Sequence, residues 1–109
     1  MIAERYGIYL AALDLTVGRE IAKTRPVVVV SLDVLNRALD TVVVCPLTTK
    51  LHPGWRSRLV TKCSGKPAEI AVDQIRTLST QRLVRKVDTL NAAIAEKLRH
   101  LIVEMYGMA

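Results

Sequence analysis

Lys23-Thr24-Arg25-Pro26-Val27-Val28-Val29-Val30-Ser31 and, further along, Val42-Val43-Val44-Cys45-Pro46-Leu47-Thr48-Thr49-Lys50 are the two stretches that decide the fold. Each centres on a strand-sized run of valines, far too short to span a bilayer. Polar groups collect where each run meets solvent: a guanidinium at the start of the first, two hydroxyls and an ammonium at the end of the second. If the two strands are antiparallel neighbours, the start of one lies beside the end of the other, and Arg25 faces Thr48 across the sheet. A fixed cation beside hydroxyl donors makes a phosphate site, because guanidinium binds phosphate oxygens bidentately and stays charged at every working pH.

Outward from this pair the chain reads as a succession of short strands. Gly7–Leu13 is apolar on both faces and is expected to be a buried first strand. Residues 14–23 form a polar loop with Gly18 at a turn, and Pro26 suits the first position of a strand over 27–31, where a missing N–H is tolerated. Asp33–Leu39 is a short helical turn with Asp33 or Ser31 as N-cap. A third strand covers 41–48, and Pro53-Gly54 keeps residues 51–55 in a loop. Arg58–Thr61 and Glu69–Val72 flank Ser64-Gly65-Lys66-Pro67, a hairpin signal. Further short strands fall at 76–79 and 84–88.

From about Asn91 the period changes. Ile94, Leu98, Leu101, Ile102 and Met105 share one helical face, Glu96–His100 is an i,i+4 pair, and Gly107 is a natural terminator. The fold class expected is mainly β with a C-terminal α element: a small, curled antiparallel sheet carrying one packed helix. The apolar stripe of the helix is expected to serve core or dimer packing.

The 109 residues suit one domain with one modest core, and with half of them hydrophobic the chain is not of disordered composition. Met1-Ile2-Ala3-Glu4-Arg5-Tyr6 has no basic stretch leading into an apolar one, so a cytoplasmic location is expected. Cys45, in an apolar run, reads as a small buried hydrophobe, while Cys63 lies in a polar stretch. The net charge of +6 is uneven: residues 50–86 carry nine Lys and Arg against Glu69 and Asp73, a charge of +7 that leaves −1 for the rest. Such an excess fits an anionic partner, whether RNA, DNA or an acidic peptide, and fits a solvated surface equally well.

Four blocks carry a family resemblance. Gly18-Arg19-Glu20, Lys23-Thr24-Arg25-Pro26, Pro46-Leu47-Thr48-Thr49 and Val72-Asp73-Gln74 resemble, in order and spacing and over nearly the whole chain, the signature blocks of the MazF/PemK-type toxins. The resemblance implies one toxin domain over residues 1–109, with an SH3-like barrel of the CcdB/PemK kind plus a C-terminal helix, usually a homodimer. It also implies a sequence-specific endoribonuclease of a type II toxin–antitoxin system, which cuts single-stranded RNA and is neutralised by an acidic, partly disordered antitoxin.

No His, Cys, Asp and Glu cluster here has metal-ligand spacing, and His52 and His100 are far apart, so no cofactor is expected and arginine and hydroxyl chemistry remains. Without a metal, the ribose 2′-OH attacks its own 3′-phosphate, leaving a 2′,3′-cyclic phosphate and a 5′-hydroxyl. Arg25 matches the arginine that the family's motif sets before proline, which implies phosphate binding, stabilisation of transition-state charge and a share in proton transfer. Thr48 matches the threonine of the Pro-Leu-Thr block, and its hydroxyl would hold a non-bridging oxygen. Thr49 is its neighbour, and strand alternation sends the two side chains to opposite faces. Glu20 is either the loop carboxylate used as general base or gate in some relatives, or a solvated partner of Lys23.

Lys50, His52, Trp55 and Arg56 combine cations with the only tryptophan and are expected to touch RNA, with Arg19 and Lys23 flanking the same groove. Two places are open to Trp55: stacked on a base, or packed as a hydrophobic lid or dimer contact. Asp73 and Gln74 match the family's Asp-Gln block, and Asp73 also suits a structural Asx turn. Relatives of the PemK branch pair this aspartate with an arginine two residues earlier; that position is Ala71 here, which favours the Arg25 and Thr48 pair. Two other functions remain open: a CcdB-like toxin that poisons gyrase by binding, and a non-catalytic basic barrel that binds nucleic acid.

Overall fold

The structure, a computed structural model, describes residues 1–13, 18, 21 and 23–107. Seven strands and two helices follow one another as β1 (Gly7–Leu13), β2 (Lys23–Val29), α1 (Asp33–Ala38), β3 (Thr41–Thr48), β4 (Arg58–Cys63), β5 (Lys66–Ala71), β6 (Arg76–Ser79), β7 (Leu83–Thr89) and α2 (Ala92–Tyr106), with single 3₁₀ turns at Val72–Gln74 and Thr80–Arg82. Every pairing is antiparallel, in the order β4-β5-β3-β2-β1-β7. β3 is the spine of the sheet. Its first half pairs with β6, its middle with β2, and its last two residues, Leu47 and Thr48, with Ile70 and Glu69 of β5.

The valine runs explain why the sheet is covered on both faces. On β2, Val28 packs with Ile8, Cys45, Leu47 and Ile70 beneath α2, whereas Val27 and Val29 point the other way, against Tyr9, Leu13, Val44 and Leu78. Strands that bury both faces need apolar residues at consecutive positions, not an alternating pattern. α2 closes the first of these cores with Ala95 and Leu98 fully inside and Ile94, Leu101, Ile102 and Met105 along its margin. The Oδ1 of Asn91 caps this helix by accepting from the N–H of Ile94 at 2.9 Å, and the N–H of Gly107 closes it on the Val103 carbonyl.

Several boundaries differ from the sequence expectation. β2 starts at Lys23 rather than residue 27, so Pro26 lies inside it; β3 registers with β2 only from Val27 onward, and Pro26 interrupts no ladder on that side. Neither Ser31 nor Asp33 caps α1, whose N-cap is Leu32. Both side chains are engaged elsewhere: Ser31 Oγ donates to Asn36 Oδ1 and accepts from the N–H of Val43, while Asp33 Oδ1 accepts from the N–H of Arg5. The β4–β5 hairpin is longer than expected and turns on Ser64-Gly65 alone, at φ 51° and 80°, the positive-φ pair that a two-residue hairpin loop demands. Pro67 and Lys62 face each other beyond the reach of β3, so this proline also costs no ladder bond.

Among the described residues no helix is long and apolar enough to cross a membrane.

Candidate active site

The polar face of the molecule is built where β3 ends. Continued by two residues, the β2–β3 register that pairs Val27 with Pro46 sets Arg25 opposite Thr48. The two side chains line one small recess of about 140 Å3 with Pro26, Thr49, Cys63 and Lys66. Lys66 enters from the far side of the β4–β5 hairpin and adds a second cation that no motif announced. Both threonines border this recess, against the alternation expected for them: β3 ends at Thr48 and the chain bends there, so the strand rule lapses at Thr49. Thr48 Oγ1 accepts from the N–H of Lys50 at 3.1 Å, which fixes the hydroxyl at the rim.

Thr48 also lines a second, larger recess of about 660 Å3, together with Gly18, Ile21, Lys50, His52, Trp55, Arg58, Asp73 and Gln74. One residue thus forms the ridge between a cationic hollow and an aromatic one. That larger volume lies within the range of small-molecule sites.

Its floor is an ion-pair network that the motifs did not reveal. The Arg58 side chain is only 6% exposed; its Nε donates to Asp73 Oδ1 at 2.9 Å and its Nη1 stands 3.7 Å from Glu69 Oε1. Glu69 is buried on β5 opposite Thr48, and its two carboxylate oxygens accept from the N–H of His52 at 3.0 Å each. The carboxylate therefore pins the loop after β3 by its backbone. On that loop the His52 and Trp55 rings stack at 3.9 Å with 13° between planes, and the Arg58 guanidinium lies 4.9 Å from the Trp55 ring centroid. Trp55 remains 46% exposed, so it is a wall of the recess rather than a buried lid.

Gln74 is held by its Oε1, which accepts from the N–H of Ile21 at 2.7 Å and ties the turn over Val72–Gln74 to the loop before β2. The same turn is braced from α2, where the Tyr106 hydroxyl donates to the Val72 carbonyl at 2.8 Å. Cys45 lies buried under the site; desolvation, then the charge of Asp73, pushes its thiol up to about 12. Burial also raises the Cys63 thiol, against an opposing hydrogen bond with Ser64, so neither cysteine is tuned as a nucleophile.

The structure brings together Arg25, Thr48 and Thr49 in one recess and Thr48, Lys50, His52, Trp55, Asp73 and Gln74 in the other. It separates two of the expected RNA contacts from them. Arg56 turns outward to pair with Glu104 of α2, and Lys23 stands exposed at the far end of β2, opposite Leu13. Glu20 and Arg19 lie outside the described residues. Arg58 and Glu69 went unnoticed in the sequence, yet Glu69 carried a signal: a carboxylate opening the apolar run Ile70-Ala71-Val72 needs a buried cation.

A curled antiparallel sheet with one packed helix and a cation-and-hydroxyl cleft at a strand end defines a small barrel suited to phosphodiesters. Residues 4–106 match the sequence profile of the PemK-like, MazF-like toxins of type II toxin–antitoxin systems, and the chain belongs to that family. It is 30% identical over 105 residues to endoribonuclease EndoA of Bacillus subtilis (strain 168), covering 89% of this chain and 88% of that protein. In fold it is similar to MazF from Deinococcus radiodurans, with a TM-score of 0.85 at 18% identity and 99% of both chains covered. It is also similar to a mycobacterial endoribonuclease in complex with its cognate antitoxin, with a TM-score of 0.79 at 20% identity, 99% of this chain and 96% of that one covered.

Proposed function

We infer that this chain is the toxin of a type II toxin–antitoxin pair, and that it cuts single-stranded RNA at a short sequence without a metal ion. The observation that carries the reading is the position of Thr48, on the ridge between the Arg25 recess and the aromatic recess. A phosphodiester lying over that ridge has Arg25 on one side and a base-sized hollow on the other. The kinship with EndoA, an endoribonuclease, supports the same activity here.

The chemistry follows from the groups present. Attack of the 2′-OH on the adjacent phosphorus builds negative charge on the non-bridging oxygens, and the Arg25 guanidinium and Thr48 hydroxyl are donors aimed at that charge. The bond from phosphorus to the 5′-oxygen breaks, leaving a 2′,3′-cyclic phosphate on one fragment and, once the departing oxygen takes a proton from water, a 5′-hydroxyl on the other. Glu20, of the Gly18-Arg19-Glu20 block, serves as the carboxylate that takes the 2′-OH proton. Lys50 and Lys66 flank the ridge and track the neighbouring phosphates.

The working form is a homodimer in the cytoplasm, each chain one toxin domain over residues 1–109. Its regulator is an acidic antitoxin whose carboxylates take the phosphate positions, as the charge of +6 favours. The antitoxin-bound mycobacterial relative supports this partner.

The test is cleavage of a long, defined single-stranded RNA by purified protein in excess chelator, with Arg25→Ala alongside and both RNA ends mapped. Site-restricted cuts with cyclic phosphate ends, lost in the variant, are expected. Intact RNA with folded, growth-arresting protein would refute the nuclease and direct attention to gyrase.

A further inference from the structure

The aromatic recess has one wall whose chemistry selects among nucleobases. The Asp73 side chain is 31% exposed, and Arg58 engages only its Oδ1; among the described residues no donor is bonded to Oδ2. A carboxylate offers acceptors alone, with lone pairs to spare after one bond from arginine. Beside it, in the same hollow, the His52 and Trp55 rings lie nearly parallel, ready to take a further flat ring against them. The Glu69 carboxylate fixes the backbone of His52 and the Arg58 guanidinium fixes Asp73, so stacking surface and acceptor are held to one another by a single buried network.

We propose that this recess is a base-reading subsite that selects a nucleobase bearing an amino group, guanine foremost, through the Asp73 carboxylate. Guanine presents N1–H and its 2-amino group side by side, matching two carboxylate oxygens. Cytosine and adenine each offer one amino group to a single oxygen. Uracil turns a carbonyl oxygen on either side of its one N–H, and an oxygen set against a carboxylate is repelled. The order expected is guanine, then cytosine and adenine, then uracil. The inference rests on the nuclease reading only in taking RNA as the ligand.

The test uses the intact protein and short RNAs made uncleavable by a 2′-deoxy sugar at the mapped cut, or at each position in turn if none is found. The base on either side of that sugar is varied through G, A, C, U and inosine, which is guanine without its 2-amino group. Trp55, the only tryptophan, reports occupancy of the recess by its fluorescence. At one neighbouring position guanine is expected to bind about tenfold or more tighter than uracil, with inosine falling between them. Asp73→Asn, which turns one oxygen into a donor, is expected to erase or invert that ratio. Equal binding of guanine, inosine and uracil at every position would overturn the subsite, as would an unchanged ratio in Asp73→Asn. The inosine comparison needs no variant and stands if Asp73→Asn does not fold. Base preference without cleavage of ordinary RNA would uphold the subsite while refuting the nuclease; cleavage without any base preference would do the reverse.

Discussion

Arg58 sits directly across the β4–β5 ladder from Ala71, and its guanidinium reaches past that alanine to the carboxylate of Asp73. At Ala71 the sequence departs from the PemK branch, whose motif has an arginine at that position. Here a guanidinium meets the same aspartate from the neighbouring strand. The pairing of charge is kept while the residue that supplies it has moved across the sheet. Arg58 is so enclosed that its first effect is architectural: it neutralises Glu69, which in turn holds His52.

Removing that guanidinium leaves Glu69 buried with only backbone partners. Arg58→Leu is expected to destabilise the fold by roughly 3 kcal/mol, in the range for breaking one side of a buried pair. Adding Glu69→Leu to it is expected to recover part of the loss, because the stranded charge goes too. Urea unfolding of the two singles and the double measures both effects; strictly additive losses would show the charges are not coupled.

Arg25 and Thr48 are expected to separate chemistry from stability. Arg25 is exposed, so Arg25→Ala is expected to keep the unfolding midpoint within about 0.5 kcal/mol of wild type. Its cleavage rate is expected to fall at least ~100-fold, the scale for losing one preorganised donor to an oxyanion. Thr48→Val keeps the shape, loses the hydroxyl and frees the N–H of Lys50, and a fall of roughly tenfold is expected. Single-turnover cleavage rates check both.

Tyr106→Phe removes the hydroxyl that α2 donates to the Val72 carbonyl. The expected cost is about 1 kcal/mol of stability, the net worth of an ordinary hydrogen bond. Because Val72 begins the turn that carries Asp73 and Gln74, the loss should also weaken RNA binding more than it slows the bound complex. Separate determination of KM and of the single-turnover rate distinguishes this from a purely global loosening.

The pH dependence of stability carries the mark of Cys45. Its thiol is pushed from the ordinary 9.0 up to about 12 by burial. Below 9.0 folded and unfolded chains both keep the proton, and nothing is lost. As pH rises from 9.0 towards about 12 the unfolded chain gives up a proton that the folded one retains, so stability falls across that window. Cys45→Ala is expected to have a lower melting temperature near neutrality, from the cavity it leaves, and a shallower decline above 9.0. A wild-type decline no steeper than that of the variant would count against it.

Much of this was legible in the chain. The valine runs gave β3 its boundaries of 41–48, the change of period at Asn91 gave α2, and reading the two valine runs as antiparallel neighbours set Arg25 opposite Thr48. What stayed hidden was whatever depends on partners distant in sequence. Ser31 and Asp33 are good local caps, yet Val43 and Arg5 claim them first. Arg56 and Arg58 look interchangeable in Trp55-Arg56-Ser57-Arg58, but the first lies open against Glu104 and the second is buried under Trp55. The Ser64-Gly65 turn fixes the β4–β5 register and sets Arg58 opposite Ala71, but that Asp73, two residues beyond, folds back onto this guanidinium depends on the turn over Val72–Gln74.

The sheet has a consequence for the timing of activity. β1 lies between β2 and β7, and its Ile8 is in register with Asp88, so β1 waits for a partner strand made about eighty residues later. Loop closure on that scale is paid before the contacts that reward it form. A nascent chain that has already exposed Arg25 and Thr48 still lacks both β7 and the helix that roofs its core. Ribosome-bound chains stalled before residue 83 are therefore expected to be protease-sensitive and unable to cut RNA, so the translating ribosome and its message are spared until the last strand closes the sheet.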